Sequence, residues 1–439
     1  MKTRGVYIET YGCQMNVSDS ELMLGLLARE GYALVETPTE ADVLLVNTCA
    51  VRDHAEQRVL SRMGELKTFK RPGGVLGVVG CMAQRLGPRL LERVPQVDLV
   101  VGPDGYRNLP ELIARASAGT RAADVEFRGW EHYEDVPAQR VDAVSAYVTV
   151  QRGCDYRCTF CIVPMTRGPE RSRKLADVVD EVRRLAAGGT TEVTLLGQTV
   201  NSYTDGTADF ADLLRAVGAV SGIRRVRFTS PYPTDFTDRV FASMAETPAV
   251  CEHVHLPVQS GSNAVLKRML RRYTRERYFE VVEGLRRAVP GLGLTTDIIV
   301  GFPGETEADF RETLDLVETV GFDDAYTFKY SPREGTPAVK IRDAVPDDVA
   351  GERLERLVAV VRRIARTRNV GLVGTVHEVL VEGFAKRGGL LQTRTRANKV
   401  VLVEGPESWI GTYNRVRLTG TTGSTFTGWP VERELAVVG

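Results

Sequence analysis

The stretch Gly153-Cys154-Asp155-Tyr156-Arg157-Cys158-Thr159-Phe160-Cys161 decides how this chain is read. Its three cysteines carry the spacing C-x3-C-x2-C, and a β-prone run, Ala146-Tyr147-Val148-Thr149-Val150-Gln151, leads into them. Neither a fourth cysteine nor a histidine follows nearby. A structural zinc ion takes four protein ligands, so three thiolates without a fourth describe a shell left open. An iron–sulfur cluster with one iron free for an exogenous ligand satisfies that count. The competing reading is a zinc knuckle completed by a distant ligand, but this spacing matches zinc ribbons poorly.

Moving outward, 439 residues allow two or three domains with substantial cores. Formal net charge is zero, so any attraction to nucleic acid has to come from local patches. The N-terminus enters a strand at once, with no room for a signal peptide. No run of apolar residues is long enough to span a membrane. A cytoplasmic, monomeric protein is expected. Seven cysteines in such a chain do not read as a disulfide framework.

Upstream of the motif, Val6–Thr10, Val43–Asn47 and Val75–Val79 read as buried parallel strands, each followed by a turn with one cysteine: Cys13, Cys49 and Cys81. The cysteines are 36 and 32 residues apart, about one βαβ unit each. In a doubly wound parallel sheet the loops after the strands gather on one edge, where ligands bind. Three cysteines there can converge on a second, three-thiolate site. The alternative is three small buried residues at strand ends. A helix is predicted over Ser18–Ala28 with a capping-box start, and another from about Ala55 to Lys67. His54 and Arg52 follow Cys49 closely; His54 reads as a polar residue at a helix start more than as a ligand. Residues 119–139 are polar and aperiodic and read as a linker. The expected division is 1–118, the linker, 140–370 and 371–439.

Downstream, strands at Ala146–Gln151, Glu192–Gly197, Arg225–Thr229, Glu252–Pro257, Gly293–Val300 and Ala325–Tyr330 alternate with amphipathic helices. Six βα units predict an open (β/α)6 partial barrel with chemistry at the carboxyl ends of its strands. The C-x3-C-x2-C loop follows the first strand. Polar and glycine-rich turns after the others make Gly197, Gln198, Asn201, Gln259, Ser260 and Gly301 candidate contacts for a nucleotide-like cofactor. Cys251 begins a strand, away from that edge, and reads as core. Two basic runs, Arg167–Lys174 and Lys267–Arg275, fit either a phosphate backbone or solvated helix faces. Beyond Gly371, short alternating strands predict a small β-barrel of a kind often used for nucleic acid. Its basic residues bunch around Lys386–Lys399 and Arg415–Arg417.

The cysteine spacing resembles the signature of radical S-adenosylmethionine (SAM) enzymes. Thr10-Tyr-Gly-Cys13-Gln-Met-Asn16, Asn47-Thr-Cys49-Ala-Val-Arg52, Gly80-Cys81-Met-Ala-Gln84, Leu195–Tyr203 and Tyr330–Pro337 extend the likeness to the methylthiotransferase branch, and the tail is similar to its TRAM module. Within the branch, Cys13-Gln14-Met15-Asn16 and Cys49–Gln57 look most like the members acting on N6-dimethylallyladenosine in tRNA. Sister members act on threonylcarbamoyl-adenosine or on a ribosomal-protein aspartate. One departure is Ser230-Pro231-Tyr232-Pro233, where many relatives carry histidine before the second proline. The resemblance implies that Cys154, Cys158 and Cys161 hold a 4Fe–4S cluster that binds SAM. It implies a second, auxiliary 4Fe–4S cluster on Cys13, Cys49 and Cys81. It further implies radical activation of the adenine C2–H, insertion of sulfur, a second SAM as methyl donor, an electron donor and a sulfur source. A non-catalytic iron–sulfur scaffold that binds RNA is the remaining alternative.

Overall fold

The computed structural model describes residues 4–50, 53–140, 144–386 and 388–431, without the side chains of residues 53–58. Six parallel strands form the N-terminal sheet: β1 (Arg4–Tyr11), β2 (Tyr32–Leu34), β3 (Val43–Thr48), β4 (Val75–Gly80), β5 (Leu99–Val101) and β6 (Ala122–Asp124). Their order is β2-β1-β3-β4-β5-β6, so the winding reverses between β1 and β3. The runs Val43–Thr48 and Val75–Gly80 are buried along their whole length, as strands covered on both faces must be. One face is covered by a core that includes Met23, Leu27 and Ile113, the other by Val59, Met63 and Met82.

Two local expectations are corrected here. The first helix spans Gln14–Arg29, with Cys13 at its N-cap and no side-chain cap. Ser18 lies inside it, buried, its hydroxyl 2.9 Å from Thr149 Oγ1. Packing against the next domain overrides the local capping signal. The stretch 119–139, read as a linker, supplies edge strand β6 and packs Tyr133 and Val136 into the core. Tyr133 Oη donates to Pro103 O at 2.9 Å, which ties this aperiodic segment down.

The central unit contains β7 (Ser145–Thr149), a two-residue ladder of β8 (Gln151–Arg152) with β9 (Arg171–Ser172), then β10 (Glu192–Leu196), β11 (Arg225–Phe228), β12 (His253–His255), β13 (Gly293–Val300) and β14 (Asp324–Lys329). Parallel sheets β11-β10-β7 and β12-β13-β14 are joined by a bridge between Val226 and Val250. Among the described residues β7 and β14 share no ladder, which leaves the six-stranded barrel open.

The 26-residue helix Asp347–Leu372 leads to a closed barrel of β15 (Val376–Phe384), β16 (Leu391–Thr395), β17 (Val400–Val403), β18 (Tyr413–Thr421) and β19 (Thr425–Pro430). The last strand escapes a reading by alternation because Gly428 and Pro430 interrupt it. Gly428 is needed there, since a Cβ would overlap Val416 Cγ1.

This barrel seats on the amino ends of the central strands. Arg225 Nη1 donates to Arg394 O at 2.9 Å, and Arg227 reaches Arg396 O and Thr395 O, both at 2.9 Å. Arg396 pairs with Glu252 at 2.7 Å, Lys399 with Asp323 at 2.8 Å, and Arg394 with Glu382. The basic residues expected to face nucleic acid around Lys399 are therefore consumed internally. No helix among the described residues is long and apolar enough to cross a membrane.

Arg225 is fully buried, shared by Glu192 and Glu378. Arg225→Ala leaves Glu192 to Arg227 and Glu378 to Arg224, and is expected to cost about 2 kcal/mol, the range for losing a buried hydrogen bond to a charged group. Urea unfolding checks this; an unchanged midpoint would show that the seat carries no stability.

Candidate active site

Beyond β7 the backbone turns at Gly153, whose φ of +76° and close approach to the Pro169 carbonyl leave no room for a Cβ. Cys154, Cys158 and Cys161 then line one cavity. Gly197 and Gln198 after β10, Ser230 to Tyr232 after β11, and Gln259 after β12 form its other barrel walls. Ser230 and Gln259 hold left-handed backbone (φ +59° and +71°) although neither is glycine. Such strain persists only where the surroundings enforce it, and it gathers at functional sites. Tyr232 stacks on Tyr156 with centroids 3.7 Å apart, and the Arg271 guanidinium lies 4.4 Å over Tyr232. Arg271 Nη1 also reaches Cys158 Sγ at 3.4 Å.

The last wall comes from the other domain: Cys13, Gln14 and Met15 line the same cavity. Cys13, Cys49 and Cys81 follow the neighbouring strands β1, β3 and β4, so the sheet order brings the three turns side by side. Buried asparagines lock these turns. Asn16 Nδ2 donates to Asn47 Oδ1 at 2.9 Å, and Asn47 Nδ2 to Asn16 O at 2.7 Å. Gly80 (φ +91°) lies against Asn47 Oδ1, where a Cβ would collide. From the barrel domain, Arg167 Nε donates to Cys81 Sγ at 3.1 Å, and the charge of Arg333 acts on Cys49.

The thiols differ in acidity. A hydrogen bond with Cys49 and the charge of Arg167 bring Cys13 down to about 6, against the opposing effect of burial. Burial pushes Cys154 up to about 11 and Cys161 up to about 12, and it also raises Cys81. Desolvated thiols of this kind are the donor set that a bound iron centre would deprotonate. Among the described residues no three histidine, cysteine or acidic side chains close on one point as a single ion requires. A 4Fe–4S cluster takes one thiolate per iron and spreads its ligands, so the open wall of Cys154, Cys158 and Cys161 and the adjoining turns of Cys13, Cys49 and Cys81 fit it.

Of the six residues expected against the cofactor, Gly197, Gln198 and Gln259 line the cavity. Asn201, Ser260 and Gly301 stand outside the lining. Asn201 clamps the Tyr232 backbone through both of its side-chain atoms, with Tyr232 N donating to Oδ1 at 2.7 Å. Ser260 Oγ is 3.3 Å from Thr313 Oγ1, and Gly301 N donates to Glu305 Oε1 at 3.0 Å. Cys251 is buried before β12, away from the cavity. Arg52 and the side chain of His54 lie outside the described residues.

The basic run Arg167–Lys174 is no RNA track. Arg167, Arg171 and Arg173 are buried and paired with Asp19, Asp104 and Glu181. Sequence reasoning missed this use, and also Asp19 itself, because a carboxylate inside a helix carries no local sign of its distant partners.

Three family models match the chain. "Radical SAM superfamily" matches residues 148–317, "Uncharacterized protein family UPF0004" residues 5–102, and "TRAM domain" residues 371–428. The fold is similar to the radical S-adenosylmethionine methyltransferase TsrM from Kitasatospora setae, solved with cobalamin and a 4Fe–4S cluster bound. That likeness has a TM-score of 0.60 at 18% identity and covers 76% of this chain and 77% of that one. Fold and cysteine loop thus define the class, the radical SAM enzymes. The tRNA-2-methylthio-N(6)-dimethylallyladenosine synthase of Geobacter sulfurreducens is 47% identical over 421 residues, 94% of either chain. The protein of that name from Thermoanaerobacter sp. is 46% identical over 435 residues, 97% of this chain and 92% of the relative. The chain belongs to the family of tRNA-2-methylthio-N(6)-dimethylallyladenosine synthases.

The thiol acidities make a direct test. In protein prepared without iron, iodoacetamide labelling of Cys13 is expected to rise as pH passes about 6, while Cys154 and Cys161 stay unlabelled at neutral pH. Peptide mass spectrometry checks it, and equal labelling of all three would contradict the electrostatics described.

Proposed function

We propose that this protein methylthiolates C2 of N6-dimethylallyladenosine in tRNA, with Cys154, Cys158 and Cys161 holding the SAM-binding cluster and Cys13, Cys49 and Cys81 the auxiliary one. One observation carries the reading: Cys13, on the turn beside those of Cys49 and Cys81, lines the same cavity as Cys154, Cys158 and Cys161. When bound, the two 4Fe–4S clusters and SAM supply reductive radical generation, the sulfur to be inserted and the methyl group. The residues of the chain confine that chemistry. The Tyr156–Tyr232 stack, braced by Arg271, makes a rigid aromatic wall, and Asn201 fixes the backbone that carries it. Gln14 and Met15, at the start of the first helix, supply the cavity wall that comes from the other domain. Gly197 brings backbone close to the space above the motif cysteines, where a nucleoside cofactor would sit, and Gln198 and Gln259 offer polar contacts. An external reductant and a sulfur source complete the reaction, and the protein works as a monomer in a reducing cytoplasm.

The test is anaerobic: reconstituted protein, SAM, a strong reductant and tRNA bearing N6-dimethylallyladenosine, with digested nucleosides read by mass spectrometry. A methylthio gain on that nucleoside is expected. Alanine at Cys154, Cys158 or Cys161 is expected to abolish 5′-deoxyadenosine formation. Alanine at Cys13, Cys49 or Cys81 is expected to leave measurable SAM cleavage and remove methylthiolation. Full methylthiolation by Cys49→Ala would sink the assignment of two clusters.

A further inference from the structure

Beside the cavity lies a second depression, a groove of about 650 Å³ between the cysteine loop and the segment Asn263–Thr274, and Arg271 lines both. We propose that this groove binds the RNA backbone next to the nucleoside in the cavity, with Arg157, Lys267 and Arg272 as its phosphate contacts. The proposal rests on the tRNA reading above and adds to it the face on which the RNA lies.

Three observations support it. Arg157, Lys267 and Arg272 all line the groove and are all exposed. Among the described residues none of the three holds an ion pair, whereas the basic residues at the two domain seams are neutralised. Arg167, Arg171 and Arg173 are buried against carboxylates, Arg394, Arg396 and Lys399 pair at the base of the small barrel, and Arg275, beside the groove, pairs with Asp315. Several unneutralised cations on one lip suit a ligand that carries several separated negative charges, as a phosphodiester backbone does.

The backbone explains why inner and outer cations alternate. Leu270 is left-handed (φ +55°) and 52% exposed. After this turn Arg271 points inward, to Cys158 Sγ and to the Pro257 carbonyl at 3.3 Å, while Arg272 lies 5.2 Å over the outer Tyr156 ring. Leu270 itself offers apolar contact to a ribose or an unstacked base. The arginines and lysine that fasten the small barrel, by contrast, sit at the amino ends of the strands, whereas the cavity opens at their carboxyl ends.

The test is fluorescence anisotropy of reconstituted holoenzyme with a labelled stem-loop RNA that carries N6-dimethylallyladenosine, titrated across a range of salt. Lys267→Ala and Arg272→Ala are each expected to weaken binding and to lower the slope of log affinity against log salt by about 0.7 to 0.9 per charge removed. Lys267→Glu is expected to weaken binding further. Lys267 is exposed and distant from the cysteine loop in sequence, so its variants test the groove even if changes at Arg157 disturb that loop. Wild-type affinity and slope in the Lys267 and Arg272 variants would overturn the proposal. If the variants lose affinity and the wild type binds RNA without modifying it, the groove stands and the assigned activity falls.

Discussion

Asp19 is the charge on which the architecture turns. It is fully buried in the first helix, 2.7 Å from Arg167 Nη2 and 3.1 Å from Arg152 Nη1, and it accepts from Tyr106 Oη at 3.3 Å. Both arginines belong to the barrel domain, and burying either without a counter-charge would cost several kcal/mol. The two domains therefore meet in the register that gives Asp19 both partners. The same register places Cys13 on the cavity wall and Arg167 against Cys81. A stability constraint and a functional geometry are met by one carboxylate.

A second electrostatic contrast separates the two ends of the barrel. At the amino ends Arg225, Arg227, Arg396 and Lys399 are spent on fastening the C-terminal barrel. At the carboxyl ends Arg157, Lys267 and Arg272 stay exposed around the cavity mouth. Net charge is zero for the whole chain, yet the distribution is not uniform in its availability. Only unpaired cations project a field toward an incoming polyanion.

Much of this was legible in the sequence. Apolar runs such as Val43–Thr48, and the alternation of strand with helix after Ala146, give the two α/β units, because burial on both faces leaves an unbroken hydrophobic signature. Cys13, Cys49 and Cys81 stood out because position after a strand is readable from periodicity, and Cys154, Cys158 and Cys161 because their C-x3-C-x2-C spacing is local. What stayed hidden depends on distant partners. The polar stretch 119–139 looks free until β6 and Tyr133 are seen in the sheet and core. Arg167 and Arg396 look like surface charge until their carboxylates arrive from other domains. Asn201 and Ser260 occupy plausible turns but point into the scaffold, and β19 is masked by the glycine that lets it close the barrel.

The central claim is that two sets of three cysteines address a single chamber. Electron paramagnetic resonance of the reconstituted, reduced protein tests it most directly, since two paramagnetic clusters facing one cavity perturb each other magnetically. The account predicts a spectrum with interaction broadening that simplifies to one isolated cluster when Cys81 is replaced by alanine. Two independent, unperturbed signals in the wild type, or a spectrum unchanged by the loss of Cys81, would contradict it.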